Sequence, residues 1–288
     1  YPQVHDFYEL VLVMSGRLKL LVGDASRMLS VGALILIRPG DIHTKKDLGN
    51  AKHVNLAFPS EVLEGLFCYL DQEDELKLLK KEKCCGVALI SNGFIHQAQK
   101  QAAQNISSIR ESVVDKQIPV IATSSTCAFT IRDEYPHLLG IQNADVRDHI
   151  ELATRYIYRL LSQKEIKLNF KKNTKIKVAY HTPCHLEKLG WAYYSIELLK
   201  LIPNIELTVL DSQCCGIAGT YGFKKENYKT SQNIGESLFK QIEACDIDYV
   251  VTDCETCKWQ IEMSTSKPCE HPISILAKAL EDLSLIHI

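Results

Sequence analysis

IELTVLDSQCCGIAGTYGF (205–223) runs a short β-branched segment directly into two adjacent cysteines and a glycine. Neighbouring cysteines cannot close a relaxed disulfide, because the bridge needs a Cα separation beyond the ~3.8 Å of one peptide unit. The pair therefore reads as two ligands of one centre, whose other ligands lie elsewhere in the chain.

A second copy supports that reading. KEKCCGVALISNGF (81–94) parallels DSQCCGIAGTYGF (211–223), with Cys84 and Cys214 130 residues apart. IPVIATSSTC (118–127) parallels IDYVVTDCETC (247–257), and Cys127 to Cys257 is again 130. Two anchors at one offset mark a duplicated unit. The later copy opens with KIKVAYHTPCH (175–185), ending near Cys184, but the same offset puts Val54 where the earlier copy should carry a cysteine. The earlier copy has lost its opening third.

In the later copy, strand-like runs alternate with helical ones. VAYHTPC leads to a helix around 191–202, and IELTVLD leads through QCCG to a helix over 231–245 with Ile234, Leu238, Phe239 and Ile242 on one face. YVVTD leads into CETC and a last helix near 273–280. Such alternation implies right-handed crossovers and a parallel sheet, whose ligands gather outside the carboxyl ends of the strands. Cys184, Cys214, Cys215, Cys254 and Cys257 each follow a strand end and can converge. In the earlier copy Cys84, Cys85 and Cys127 form a weaker set, with Ser124 in the place of Cys254, and Ile95, Ala98, Ala102, Ile106, Ile109 and Val113 make an apolar helical stripe.

Five soft sulfurs around one pocket repel one another unless a cation neutralises them. An iron–sulfur cluster of [4Fe-4S] type, cubane or not, is the first reading, zinc the second, and a thiol redox or structural role the third. Gly216 and Gly219 let backbone approach the centre, with amides directed at its sulfurs. His181 and His185 flank Cys184 and could ligate or hydrogen-bond a cluster, although the favoured reading makes them outer neighbours of the centre or surface residues. Asp211 and Asp253 read as loop-structuring, and Cys68, Cys245 and Cys269 as packed or surface thiols.

Residues 1–76 differ in character. ELVLVMSG, LKLLVG and ALILIRPGD are short strand-like runs spaced by Gly and Pro turns, as in an antiparallel barrel. HDFYELVLVMSGRL, GALILIRPGDIHT and HVNLAF resemble the N-terminal sensing cupin of AraC-type transcriptional regulators. His5, Glu9 and His43 match cupin positions that line the pocket and in some relatives bind metal; the usual His-x-His is incomplete here, so the expectation is pocket or surface histidines.

The remaining motifs resemble one family closely. KEKCCG, ATSSTC, TIRDEYP, RDHIELATR, HTPCH, LDSQCCGIAGTYGFKKENY and VVTDCETCKWQIEMSTS, covering about 77–281, are similar to the C subunits of bacterial anaerobic glycerol-3-phosphate dehydrogenases. These are members of the cysteine-rich CCG-domain family, with the B subunit of heterodisulfide reductase and the iron–sulfur subunits of glycolate and lactate oxidation. The resemblance implies an electron-transfer subunit of an oxidoreductase complex rather than a stand-alone enzyme. Its partners would be flavoprotein subunits and, indirectly, the menaquinone pool, in a cytoplasmic complex held peripherally at the inner membrane. It assigns the cluster to Cys184, Cys214, Cys215, Cys254 and Cys257, with no catalytic residue in this chain. The family's ferredoxin-like Cys-x-x-Cys-x-x-Cys-x-x-x-Cys-Pro region is missing from this sequence.

Composition agrees with that class. With 288 residues, 46% hydrophobic, 24% charged and a net charge of −2, the chain has no general attraction for nucleic acid or acidic lipid. Eleven cysteines without an export signal point to metal or redox chemistry in a reducing compartment. KKEK (80–83) and KKNTKIK (171–177) read as solvated surface. No apolar run approaches the ~18 residues of a membrane span. The expected architecture is α/β: a partial β cupin-like segment (1–76), a truncated first CCG unit (77–171), a complete second unit (172–281) and a tail, 282–288, whose SLIHI resembles translated adaptor sequence. The chain opens on Tyr1 rather than methionine, and the regulator piece, headless relay subunit and tail together suggest an assembly artefact or a gene-fragment fusion. A ligand-sensing regulator fragment and a zinc-binding contact module are the alternatives.

Overall fold

The computed structural model describes residues 7–22, 25–30, 34–37, 42–48, 52–59, 83–115, 118–164, 168–172 and 175–280. They fall into two compact units, one within 1–68 and one within 69–288. His5, Cys68, the expected boundary near 76 and the tail lie outside the described residues.

The N-terminal unit is antiparallel throughout. Strand β1 (Phe7–Ser15) pairs with β4 (Leu34–Ile37) and β6 (Lys52–Pro59), while β2 (Arg17–Val22) pairs with β3 (Ala25–Ser30) and β5 (His43–Asp47). Alternation sets the core: Leu18 and Leu20 are buried with Val13 and Leu29, while Arg17, at the start of β2, is exposed. These strands carry the cupin-like pattern. His43 is buried within β5, and Glu9 lies in β1 opposite Ile37 and Ala57. Val54 lies in β6 opposite Leu12, so the position where the repeat would place a cysteine belongs to an antiparallel sheet.

The C-terminal unit holds both CCG copies. The later copy builds a parallel sheet from β9 (Ile176–Tyr180), β10 (Ile205–Val209), β11 (Tyr249–Val251) and β12 (Cys269–Glu270), in the order β10-β9-β11-β12. The chain leaves β9 for one side, then crosses back to the other, so a crevice opens at the carboxyl ends of β9 and β11. In the earlier copy, β7 (Val120–Ala122) and β8 (Ile150–Leu152) form a two-stranded parallel sheet among the described residues, matching β11 and β12. The positions 130 residues before β9 and β10 are 46–50 and 75–79; the first overlaps β5 and the second lies outside the described residues.

Helices confirm the duplication and correct two details. α1 (Val87–Ser91) and α2 (Ile95–Arg110) follow the first CCG, and α3 (Ser125–Phe129) follows β7. After β8 comes α4 (Ala153–Ser162). The later copy carries α5 (Cys184–Leu189), α6 (Ala192–Lys200), α7 (Tyr228–Glu243), α8 (Glu255–Ser264) and α9 (Pro272–Ala279). In α7 the buried face is Ser231, Gly235, Leu238, Phe239 and Ile242, and Ile234 is 53% exposed. Ile234 lies a full 100° step from Gly235, and it is the small residue that meets the core. Ile95, at the start of α2, is likewise exposed, while Ala98, Ala102, Ile106 and Ile109 are buried. A π-helical turn at Glu111–Asp115 keeps Val113 on the buried side.

Candidate functional site

Strand ends bring the five predicted cysteines together. Cys184 opens α5 three residues past His181, Cys214 and Cys215 follow β10, and Cys254 caps the helix that carries Cys257. Their sulfurs form an unbroken line of neighbours, Cys184–Cys214–Cys215–Cys257–Cys254. The Sγ atoms of Cys215 and Cys257 are 3.3 Å apart. Cys215, Cys254 and Cys257 are buried, and Cys184 and Cys214 face solvent. The centre is therefore reached from one side.

The line sorts its protons by position. Hydrogen bonds from the Cys184 and Cys215 thiols, with the Gly216 amide 3.3 Å away and His181 nearby, pull Cys214 down to about 2. The Cys257 thiol, helped against burial by the Thr126 and Thr256 hydroxyls, pulls Cys254 to about 6. The donors move the other way: Cys184 and Cys215 are pushed up by bonding to Cys214, and Cys257 by bonding to Cys215. Crowded thiols cannot all ionise without a cation. The donor set fits an iron–sulfur cluster, whose irons compensate the thiolates and whose own width spaces its ligands. Among the described residues no group of three or more His, Cys, Asp and Glu is arranged to hold a single metal ion.

Backbone close to the cysteine pair is held by small residues. Gly216 adopts φ +86, and a Cβ there would stand 2.0 Å from the Ser231 carbonyl oxygen. Its counterpart Gly86, 130 residues earlier, adopts φ +89. The same left-handed turn follows both cysteine pairs, as only glycine permits comfortably. The Gly216 amide donates to the Cys214 sulfur at 3.3 Å, whereas the space around Gly219 is taken by Ser91 and Val87 of the earlier copy.

A carboxylate anchors the floor. Asp253, fully buried, accepts hydrogen bonds from Tyr180 (2.5 Å), Ser195 (2.8 Å) and Thr154 (3.2 Å). Burial and the Asp253 charge keep the Tyr180 hydroxyl protonated and so a donor. This network ties the end of β11, at Cys254, to β9, α6 and α4. Asp253 structures its loop as expected, but through three hydroxyls the sequence did not flag. Asp211 is exposed, and its amide donates to Gln241 Oε1.

The earlier copy also reaches the later one's cysteines. Thr126 of α3 lies 3.2 Å from Cys254 Sγ and 3.1 Å from His185 Nδ1, and Phe129 stacks on His185 at 4.9 Å. Asp253 O accepts from the amide and the hydroxyl of Ser125, each at 2.9 Å. Thr256, 3.3 Å from Cys254, is the 130-offset partner of Thr126. That shared threonine, one residue before Cys127 and Cys257, was the signal available in the repeat.

The weaker set converges too. Cys85 is buried, and bonding to Cys127 and Cys84 drives its thiol well up, while Cys84 is drawn down to about 7 by Cys85 and the Gly86 amide. Ser124 stands buried where a fourth thiol would be. Cys245 is half-buried against the Gln241 carbonyl, and Cys269 is buried in β12.

Comparison with known proteins gives two family matches. The cysteine-rich domain family, CCG, matches residues 57–132 and 178–262, together more than half of the chain. The AraC-like ligand binding domain matches 1–67. The C subunit of the anaerobic glycerol-3-phosphate dehydrogenase of Escherichia coli K12 is 66% identical over 206 residues, covering 71% of this chain and 51% of that protein. An iron–sulfur protein of Methanocaldococcus jannaschii is 27% identical, covering 65% of this chain and 35% of its own. The D subunit of the dihydromethanophenazine:CoB–CoM heterodisulfide reductase of Methanosarcina mazei is 26% identical, covering 70% and 50%. The chain thus spans a third to a half of these three relatives.

Proposed function

Because the chain belongs to the cysteine-rich CCG family, we propose that its C-terminal unit holds an iron–sulfur centre on Cys184, Cys214, Cys215, Cys254 and Cys257. It would serve there as part of the electron-transfer subunit of an anaerobic glycerol-3-phosphate dehydrogenase. The observation that carries this reading is the line of five sulfurs drawn from three strand ends to one crevice. A cluster so held supplies one-electron chemistry without bond making. The chain's own residues bind and orient: Gly216 and the Thr126 and Thr256 hydroxyls direct donors at sulfur, and Asp253 fixes the β11 end.

The surroundings suit electron entry and exit. Two ligand cysteines face solvent while three are covered, so a partner docking on that face comes close to the centre. A flavoprotein subunit would supply electrons, and the menaquinone pool would receive them through the complex. Among the described residues no helix is long and apolar enough to cross a membrane, so attachment at the inner membrane would run through partners. Cys84, Cys85 and Cys127 would form a lesser set of sulfur ligands. The N-terminal unit supports a second, separate reading as a ligand-binding cupin, through its AraC-like match and the buried His43.

Anaerobic reconstitution of the full chain, followed by iron, sulfide and zinc analysis, tests the proposal. Bound iron and sulfide with broad visible absorption, lost in Cys214→Ser or Cys257→Ser and kept in Cys245→Ser, supports it. Stoichiometric zinc without that absorption overturns it.

A further inference from the structure

We infer that His181 gives the centre an N–H···S hydrogen bond, as a sixth contact beside the five cysteines. The inference rests on the iron–sulfur reading and extends it to a residue that neither the repeat nor the cysteine pattern assigns.

Place comes first. His181 is the residue after β9, and its amide donates to the Val251 carbonyl of β11 at 2.9 Å. One residue earlier, the Tyr180 carbonyl accepts from Leu210, just past β10. His181 therefore stands where the two sides of the sheet part, at the crevice on which the cysteine-bearing loops close.

Burial makes the case sharper. His181 is 1% exposed, and neither Nδ1 nor Nε2 has a hydrogen-bond partner among the described residues. Buried polar groups in folded proteins are almost always satisfied, and an exception calls for a specific explanation. The other histidines of the later copy have polar partners. His271 Nδ1 accepts from the Ile273 amide at 3.2 Å, and its Nε2 lies 3.0 Å from the Thr123 carbonyl oxygen. His185 meets Thr126 and stacks on Phe129.

Charge then selects the role. Burial keeps the ring neutral, lowering it to about 4, and Cys214 is the charge that opposes this. A neutral imidazole always retains one N–H. Cys214, a sulfur of the centre, is close enough for its charge to act on the ring. Five thiols already supply the ligand set, so the ring is left to donate rather than coordinate. Donated hydrogen bonds to cluster sulfurs favour the more negative, reduced state and raise the potential.

The full chain labelled with ¹⁵N-histidine, reconstituted with iron and sulfide and poised in its paramagnetic state, is examined by pulsed EPR. A weak ¹⁵N coupling with a D₂O-exchangeable proton is expected in the wild type. His181→Leu should keep its iron and sulfide, lose the coupling and move the midpoint potential negative; His181→Gln, which retains an N–H, should recover part of that shift. No coupling in the loaded wild type overturns the inference, as does one strong enough for an Fe–N bond or one unchanged in His181→Leu. Should the Leu variant not fold, the wild-type spectrum alone decides. A wild type that takes up no iron or sulfide overturns the functional reading and this inference with it.

Discussion

Thr126 and Cys254 sit 3.2 Å apart, side chain to sulfur, although 128 residues separate them and they belong to different copies of the repeat. With Thr256 at 3.3 Å, the Cys254 sulfur has a hydroxyl neighbour from each copy. Thr126→Val keeps the shape and removes one of them. Loss of about 1 kcal/mol is expected in unfolding of the metal-free chain, together with a more negative midpoint potential after reconstitution. An unchanged potential would show that Thr126 serves packing alone.

Asp253 carries a larger share of stability. Asp253→Ala takes the shared acceptor from three buried hydroxyls, of which Ser195 and Thr154 keep each other at 2.9 Å, and should cost on the order of 3 kcal/mol, whereas Tyr180→Phe removes one donor and should cost about 2. Both tryptophans, Trp191 and Trp259, belong to the C-terminal unit. Urea unfolding followed by tryptophan fluorescence therefore reports that unit selectively.

At Gly216 the backbone leaves no room. A methyl group at φ +86 would stand 2.0 Å from the Ser231 carbonyl, and strain of this kind costs about 1–3 kcal/mol before the clash is counted. Gly216→Ala should lower stability by at least that much and abolish iron uptake, measured by the same unfolding series and by iron content.

The two solvent-facing thiols should react oppositely in the metal-free chain. Cys214, lowered to about 2, is a thiolate throughout pH 5–8, so its alkylation rate should be nearly flat across that range. Cys184 is raised, remains a thiol up to pH 9 and should stay unreactive despite its exposure. An ordinary thiol with pKa ~8.5 would slow about tenfold per unit below that value. Peptide-resolved mass spectrometry of timed iodoacetamide labelling separates the three behaviours.

Much of this architecture is legible in the order of residues. The alternation of β-branched runs with helical ones identifies the parallel sheet, and the 130-residue offset identifies the duplicated cysteines before any contact is known. What escapes is set by packing between copies. Thr126 acquires its role only when α3 meets the other copy's Cys254, and Ser195, Thr154 and Tyr180 share no spacing with Asp253. Ile234 departs from its expected face for a related reason: hydrophobicity alone ranks it above Gly235, while the core at Cys215 needs the smaller residue. A Cβ added to Gly235 would lie 2.5 Å from the Cys215 carbonyl oxygen.

The joint between the copies extends beyond that threonine: Ser125 is bonded to Asp253, and Asn92 donates to Thr220 at 2.8 Å. A duplicated gene is commonly pictured as two beads, either of which can drift or be discarded. Here the halves are tenon and mortise. The earlier half furnishes part of the wall around its sibling's sulfurs. Any cut that frees the later half must bring a substitute for α3, so the shortest heritable piece that preserves this pocket is the pair.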